Sequence, residues 1–347
     1  MCLICDKVSL ENITCLEICR DVTVIPRLPN TIKTLSCYYC IYLTELPKLP
    51  QSLKSLEISR CELLQTLPEL PQSLTHLWCS ECPLLQSLPE LPQSLIKLEC
   101  FDCPLLQSLP ELPSLLSTLN CYECYSLQSL PELPSLLTYL ECSGCTSLQS
   151  LPELPQSLTH LDCYRCTSLQ SLPELPQSLT HLYCSKCPLI KTLPELPQSL
   201  VYLNCFGCYL IQTLPDLPLS LKELECGECT SLIFIPTLPQ FLTYLSCDGC
   251  ISLHYLSELP QSINRFDCSN CDGLMFIPES TERYISPDLL ETINSNYLKW
   301  RKEQTLKWFS STTGLLYEDL IKKTWHPDRV VDWCWDTEEV RWFKSLK

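Results

Sequence analysis

Glycine is scarce in this chain, with only six in 347 residues. Phosphate-binding loops need several glycines close together, so a nucleotide site of that kind is excluded. Long apolar runs are also missing, and no stretch approaches the roughly 20 residues of a membrane-spanning helix. The first residues, Met1 to Asp6, lack the basic start and the apolar core of a secretory signal peptide. We therefore expect a cytoplasmic protein that does not contact a membrane.

Basic side chains are in short supply as well. The chain has 24 Lys and Arg against 40 Asp and Glu, a net charge of −16. Residues 1–280 hold 13 of the basic and 29 of the acidic residues, so this region carries the whole net charge. Nucleic-acid phosphates are bound mainly through Lys and Arg. The charge balance thus argues against nucleic acid as a partner and favours a basic protein.

Repetition is what the sequence has in abundance. A Leu-Pro-x-Leu-Pro block and its degenerate forms recur every 21 residues, in twelve steps from Ile25 to Ile277 without insertion or deletion. A fixed period of this length predicts a solenoid, because one unit cannot bury its own apolar face. In one unit the apolar pattern LxxLxCxxCxxLxxL is formed by Leu158, Leu161, Cys163, Cys166, Leu169 and Leu172.

This pattern resembles that of leucine-rich repeats. It is similar to the LPxLP repeats of bacterial secreted effectors, and to the cysteine-bearing repeats of plant immune receptors and of giant amoeba-infecting DNA viruses. The resemblance implies a solenoid with a parallel β-sheet on its concave face and an irregular convex face. The residues agree: alternation around Leu161 and Cys163 predicts a short strand that points both side chains inward. The two prolines of each Leu-Pro-Glu-Leu-Pro segment exclude helix and favour a polyproline-like return on the convex side.

Three regions follow from composition and period. We predict a divergent N-terminal repeat or cap at 1–24, about twelve repeats at 25–280, and a Trp-rich helical region at 281–347. Six of the seven tryptophans lie in the last region. Ser286-Pro287-Asp288 is a good helix start. We expect this region to form a small α-helical cap on the last repeat, since the open end of a solenoid needs one.

Paired cysteines at Cys-x-x-Cys spacing recur through the repeats, and in isolation they would suggest zinc ligands or disulfides. The repeat register favours buried free thiols instead. Ile58 occupies the first cysteine position in one unit, and isoleucine replaces a small core residue but not a metal ligand. The second cysteine lies where related repeats use Asn to bond turn backbone, and a thiol is a weak donor that suits this place. We predict no metal and no cofactor.

Function is expected in the outward positions of the strands, which vary while the scaffold repeats. These positions are rich in aromatic and acidic residues. Exposed aromatic side chains are typical of protein interfaces, and carboxylates between them would favour a basic partner. We predict a monomer that binds a protein partner through this concave face. The predicted contact residues are Trp78, Phe101, Tyr122, Tyr139, Glu141, His160, Asp162, Tyr164, His181, Tyr183, Tyr202, Phe206, Glu225 and Tyr244.

The C-terminal region raises two alternatives. Residues 324–336 resemble a tail motif of repeat proteins from giant amoeba viruses, which implies a viral product in host cytoplasm or a structural component of the virion. Cys334-Trp335-Asp336 fits the Cys-x-Asp trio of the ubiquitin-ligase domain of bacterial LPxLP effectors. That domain is several-fold longer than this region, so the fold that would activate the thiol is missing. We therefore predict no catalytic residue and a non-enzymatic scaffold.

Overall fold

One parallel sheet runs through the part of the chain that the structure describes. The computed structural model describes residues 11–18, 21–275, 277, 281 and 287–310, with the backbone alone at 301 and 304–310. Within these residues thirteen strands pair in chain order, and the helix α1 (Pro287–Ser310) follows them. The strands are β1 (Cys15–Ile18), β2 (Thr34–Tyr38), β3 (Ser55–Ser59), β4 (His76–Ser80), β5 (Lys97–Glu99), β6 (Thr118–Asn120), β7 (Tyr139–Glu141), β8 (His160–Asp162), β9 (His181–Tyr183), β10 (Tyr202–Asn204), β11 (Glu223–Glu225), β12 (Tyr244–Ser246) and β13 (Arg265–Asp267). The predicted leucine-rich-repeat solenoid with a C-terminal helix is confirmed.

The strand register follows the sequence period. Leu161 of β8 pairs with Leu182 of β9, and Leu182 pairs with Leu203 of β10, each one repeat of 21 residues later. Equivalent positions therefore stack in columns across the sheet. A residue's column can be read from the sequence once the period is known.

The core is a continuous stack of leucine and cysteine. In one repeat Leu158, Leu161, Cys163, Cys166 and Leu169 are all fully buried. The Leu-Pro-Glu-Leu-Pro segments are neither helix nor strand, as their prolines predict.

A serine ladder, interrupted at Leu115, Leu136 and Phe241, joins repeats at the turn before the strand. Ser157 Oγ donates to Leu137 O at 2.6 Å, and Ser178 Oγ donates in the same way to Leu158 O. Each bond joins one repeat to the repeat before it. The ladder satisfies carbonyl groups that the irregular segments leave without a strand partner.

The chain turns sharply at the residue before each second cysteine. This position takes a left-handed backbone conformation in the described repeats, with φ of 50° at Asp102 and 57° at Arg165. Gly144, at φ 72°, is one of three glycines in this column. Such a backbone favours glycine, because a Cβ atom crowds the following carbonyl. Three of the chain's few glycines are therefore found at this turn after the strand.

Helix α1 packs against the end of the solenoid. Leu289 and Ile293 are buried against the core of the last repeats. Asn296 Nδ2 donates to Asp272 O at 2.6 Å and to Leu274 O at 3.1 Å. The helix therefore covers apolar surface and occupies carbonyls of the last turn. Among the described helical residues, no segment is both long and apolar enough to cross a bilayer.

Candidate functional site

The outward side chains of the strands form one surface, the strand face, made of three columns. Tyr139, His160, His181 and Tyr202 lie in the first column, and Glu141, Asp162, Tyr183 and Glu225 in the second. Trp78 and Tyr244 lie on β4 and β12. The third column holds Phe101, Tyr122, Tyr164 and Phe206, which follow the ends of β5, β6, β8 and β10.

One difference from the sequence reading concerns this third column. The alternation predicted strands that include Tyr164 and its equivalents, but β5 to β13 end two residues earlier. Strands β2 to β4 include this column at Tyr38, Ser59 and Ser80, although the same left-handed residue follows them. From β5 onward the third column lies at the border of the sheet, where single backbone bonds such as Arg165 N to Ser185 O still join neighbouring repeats.

Five rings in the middle of the strand face form a continuous cluster, here called the ring stack: Tyr139, His160, His181, Tyr183 and Tyr202. The imidazoles of His160 and His181 are nearly parallel, with ring centroids 4.4 Å apart and planes at 9°. Tyr183 and Tyr202 are 4.6 Å apart, and Tyr139 lies 6.0 Å from His160. Parallel strand pairing produces this contact, because it places equivalent side chains one strand spacing apart.

The two imidazoles are held in place from below. Nδ1 of His160 lies 2.9 Å from the hydroxyl of Thr159, and Nδ1 of His181 lies 2.9 Å from that of Thr180. Burial, and then the neighbouring His181, lower the pKa of His160. The imidazole of His160 is therefore neutral at neutral pH.

Two carboxylates flank the ring stack with matching surroundings. Glu141 Oε2 accepts from Tyr139 Oη and from Asn120 Nδ2, both at 2.9 Å. Four repeats further on, Glu225 accepts from Tyr202 Oη and from Asn204 Nδ2, both at 2.8 Å. The same trio of side chains is thus built at both ends of the ring stack.

Asp162 is the carboxylate between these two ends. Its Oδ1 accepts the backbone N–H of Tyr164 at 2.9 Å. Burial raises the pKa of Asp162 and that of Glu141. Neutral donors hold these groups, and within the described residues neither of them nor Glu225 forms an ion pair with Lys or Arg.

Toward both ends of the strand face the pattern changes, because cations of the chain itself cover the rings. Lys97 Nζ lies 5.9 Å from the Trp78 ring centre and 2.5 Å from Glu99 Oε1. Arg265 lies 5.1 Å from the ring centre of Tyr244. Along the edge, Lys186 Nζ lies 5.8 Å from Tyr164 and 6.0 Å from Phe206.

Some residues of this surface were not among the predicted contacts. Asn120 and Asn204 each donate to a flanking carboxylate, and each also accepts the backbone N–H two residues later, at 3.0 Å. Lys97 and Arg265 cover rings. The sequence contained a signal for them, because all four stand in the outward columns. They were not predicted as contacts because the prediction selected mainly the aromatic and acidic residues of those columns.

The cysteine pairs belong to the core and not to the surface. Of the cysteines in the described residues, all are free thiols and Cys15 alone is exposed. The second cysteine of a repeat donates to the carbonyl of the first cysteine one repeat earlier: Cys166 Sγ lies 3.1 Å from Cys142 O, and Cys229 Sγ lies 3.2 Å from Cys205 O. Within the described residues, no three His, Cys, Asp or Glu side chains are grouped to hold a metal ion. Cys334 and residues 324–336 lie outside the described residues.

Known structures with this architecture are leucine-rich-repeat proteins. YopM from Yersinia enterocolitica WA-314 superposes with a TM-score of 0.56 at 32% identity, over 77% of this chain and 63% of that chain. YopM from Yersinia pestis, described as a leucine-rich effector protein, superposes with a TM-score of 0.50 at 26% identity, over 75% of this chain and 87% of that chain. The chain thus spans less than two thirds of the first of these proteins.

Sequence comparison adds no closer assignment. No protein-family model matches the chain, and no curated protein sequence matches it. The structural neighbours and the thirteen-stranded parallel sheet agree on the architecture. The protein is a leucine-rich-repeat solenoid.

Proposed function

We propose that this protein is a non-catalytic scaffold that binds a protein partner through the strand face, the concave side of a leucine-rich-repeat solenoid. The observation that carries the proposal is the ring stack with its flanking carboxylates. Three of the five rings are tyrosines, which offer large contact area for little lost side-chain entropy and are among the residues that dominate the energetics of protein interfaces. The name of one structural neighbour, a leucine-rich effector protein, fits a protein that acts on other proteins.

The charge of the surface indicates the kind of partner. Glu141, Asp162 and Glu225 lie beside the rings, and residues 1–280 carry the entire net charge of −16. A basic partner would associate faster with such a surface and bind it more selectively. The same charge opposes nucleic acid and anionic membranes. We propose that the protein acts as a monomer, with the predicted contact residues as its interface.

The setting in which it acts is proposed from sequence resemblance alone. Residues 324–336 resemble the tail motif of giant-virus repeat proteins, and we propose a viral product that acts on host proteins in the cytoplasm. A structural role in the virion would instead make the protein abundant in purified particles. A ubiquitin-ligase role would require discharge of ubiquitin that is lost in Cys334→Ala.

The test is a comparison of two quadruple variants. One changes Tyr139, His160, Tyr183 and Tyr202 to Ala on the strand face. The other changes the exposed Glu153, Glu174, Glu195 and Asp216 to Ala on the convex side of the same four units. Proteins captured from host cytoplasm by the wild type would be identified by mass spectrometry. The proposal expects capture to be lost with the first variant and kept with the second. Equal capture by both variants, with folding unchanged by circular dichroism, would overturn it.

A further inference from the structure

The chain contains its own examples of how this surface pairs with a cation. Lys97 lies against the Trp78 ring and bonds the carboxylate of Glu99. Arg60 lies 4.7 Å from the ring centre of Tyr39 and 2.7 Å from Glu81 Oε2. In both places one aromatic ring and one carboxylate, on neighbouring strands or at their edge, receive the same cation. Cation–ring contact and charge pairing reinforce each other in this arrangement.

The middle of the strand face has the same two parts without the cation. The ring stack supplies five rings, and Glu141, Asp162 and Glu225 supply carboxylates. None of the outward positions on β7 to β11 is Lys or Arg. Within the described residues, no Lys or Arg side chain lies over the rings of the stack.

We propose that the ring stack receives an arginine side chain of a basic, extended segment of the partner, with Asp162 as the central carboxylate. This rests on the proposed function and names the chemistry that the strand face recognises. Charge complementarity supports it, because three carboxylates around the rings have neutral donors only. The depressed pKa of His160 and the raised pKa of Asp162 agree with a surface that lacks a cation.

Arginine fits this surface better than lysine for geometric reasons. The guanidinium group is planar and stacks on aromatic faces, whereas the ammonium group of lysine is a compact, strongly hydrated point charge. Of the six cation–ring contacts within the described residues, three are made by arginine, at Tyr39, Tyr164 and Tyr244, and three by lysine. A guanidinium over parallel imidazoles or tyrosines keeps its edge free to bond a carboxylate.

The probe is a short synthetic peptide, Gly-Ser-Gly-Arg-Ser-Arg-Gly-Ser-Gly, with two counterparts in which lysine or the neutral isostere citrulline replaces arginine. Binding to the full chain is measured by isothermal titration calorimetry. We expect the arginine peptide to bind about fivefold tighter than the lysine peptide, and the citrulline peptide to bind more weakly than both. In NMR spectra the arginine δ-methylene protons should move upfield, because they lie on ring faces.

The protein variants use residues that the repeats themselves already place in the same columns. Asp162→Asn imitates Asn120 and Asn204, so the bond from the N–H of Tyr164 is kept. His181→Thr imitates Thr118 on β6. Each should weaken binding of the arginine peptide about five- to tenfold. Glu174→Gln removes one charge from the convex side of the same repeat and should change binding less than twofold.

Two results would overturn the inference. Equal binding of the arginine and lysine peptides would show that the strand face does not prefer a guanidinium group. If Glu174→Gln and Asp162→Asn weaken binding of the arginine peptide equally, the effect comes from the overall charge of the protein and not from the ring stack. The inference can fail while the proposed function holds. This would be the result if the strand-face quadruple variant loses a captured partner but the protein shows no preference for the arginine peptide.

Discussion

At the scale of single residues, the two buried cysteine columns differ in their hydrogen-bond partners. Second cysteines bond a carbonyl one repeat earlier, as Cys229 Sγ does to Cys205 O at 3.2 Å, whereas some first cysteines, such as Cys163, bond a carbonyl one repeat later. Cys226, the first cysteine of the repeat that holds Cys229, is fully buried, and its thiol lies against the thiol of Cys250. A hydroxyl in place of each thiol should therefore have opposite effects at the two sites.

The prediction compares Ala and Ser at each position. Cys229→Ser keeps a donor for Cys205 O and should be about 1 kcal/mol more stable than Cys229→Ala. Cys226→Ser buries a hydroxyl whose neighbour is the weakly bonding thiol of Cys250, and it should be about 1 kcal/mol less stable than Cys226→Ala. Denaturant unfolding measures both differences. The same sign at the two sites would mean that the columns are equivalent packing positions.

At the scale of the repeat element, acidic side chains of consecutive repeats lie next to each other at the turn after the strand. Asp102 lies in the left-handed column between Glu81 and Glu123, at φ 50°. Burial, then Glu123 and Glu81, raise the pKa of Asp102. A raised carboxyl pKa means that the ionised form is disfavoured in the folded state. This penalty is absent below the pKa of the unfolded chain, and it grows as pH rises through the folded pKa.

Asp102→Asn should therefore stabilise the protein in a pH-dependent way. Asn tolerates the left-handed conformation, as Asn270 does in the same column. We expect a gain of roughly 0.5 kcal/mol at about pH 7, since each like-charge contact costs a few tenths, and no gain at about pH 3, where the carboxyl is protonated in both states. Paired unfolding curves at the two pH values test this. A gain of the same size at both would assign it to backbone conformation alone.

The same element shows what the sequence could predict. The 21-residue period and the inward Leu161 and Cys163 gave the fold and the columns, because a repeated unit must stack on copies of itself. The ring stack needed only the strand register, which follows from that period. The early strand end before Tyr164 could not be predicted, since β2 to β4 run through the equivalent position with the same period and the same left-handed residue after it. The positions of the cations over Trp78 and Tyr244 depend on side-chain conformations, which the amino-acid sequence alone does not specify.

At the scale of the whole molecule, distant repeats of a solenoid do not contact each other, so its end repeats have a neighbour on one side only. Each repeat is held by its neighbours, so the last one depends on whatever covers it. Helix α1 does this through Leu289 and Ile293, and through Asn296, which donates to Asp272 O and Leu274 O. Loss of these contacts should open the end of the solenoid before it affects the middle.

Asn296→Ala tests this local dependence, with Asn294→Ala as its matched control. Asn296 bonds the last turn, whereas Asn294 is an exposed residue of the same helix. Removing the Asn296 amide leaves two carbonyls without that donor and should cost about 1–2 kcal/mol, felt mainly at the C-terminal repeats. In hydrogen-exchange mass spectrometry, amides at 265–275 should exchange about ten times faster, while those of β2 to β10 should not change, because a one-dimensional stack transmits little from its end. Asn294→Ala should leave both regions as in the wild type. Faster exchange along the whole sheet in Asn296→Ala would instead mean that the solenoid unfolds as one unit and that α1 stabilises every repeat.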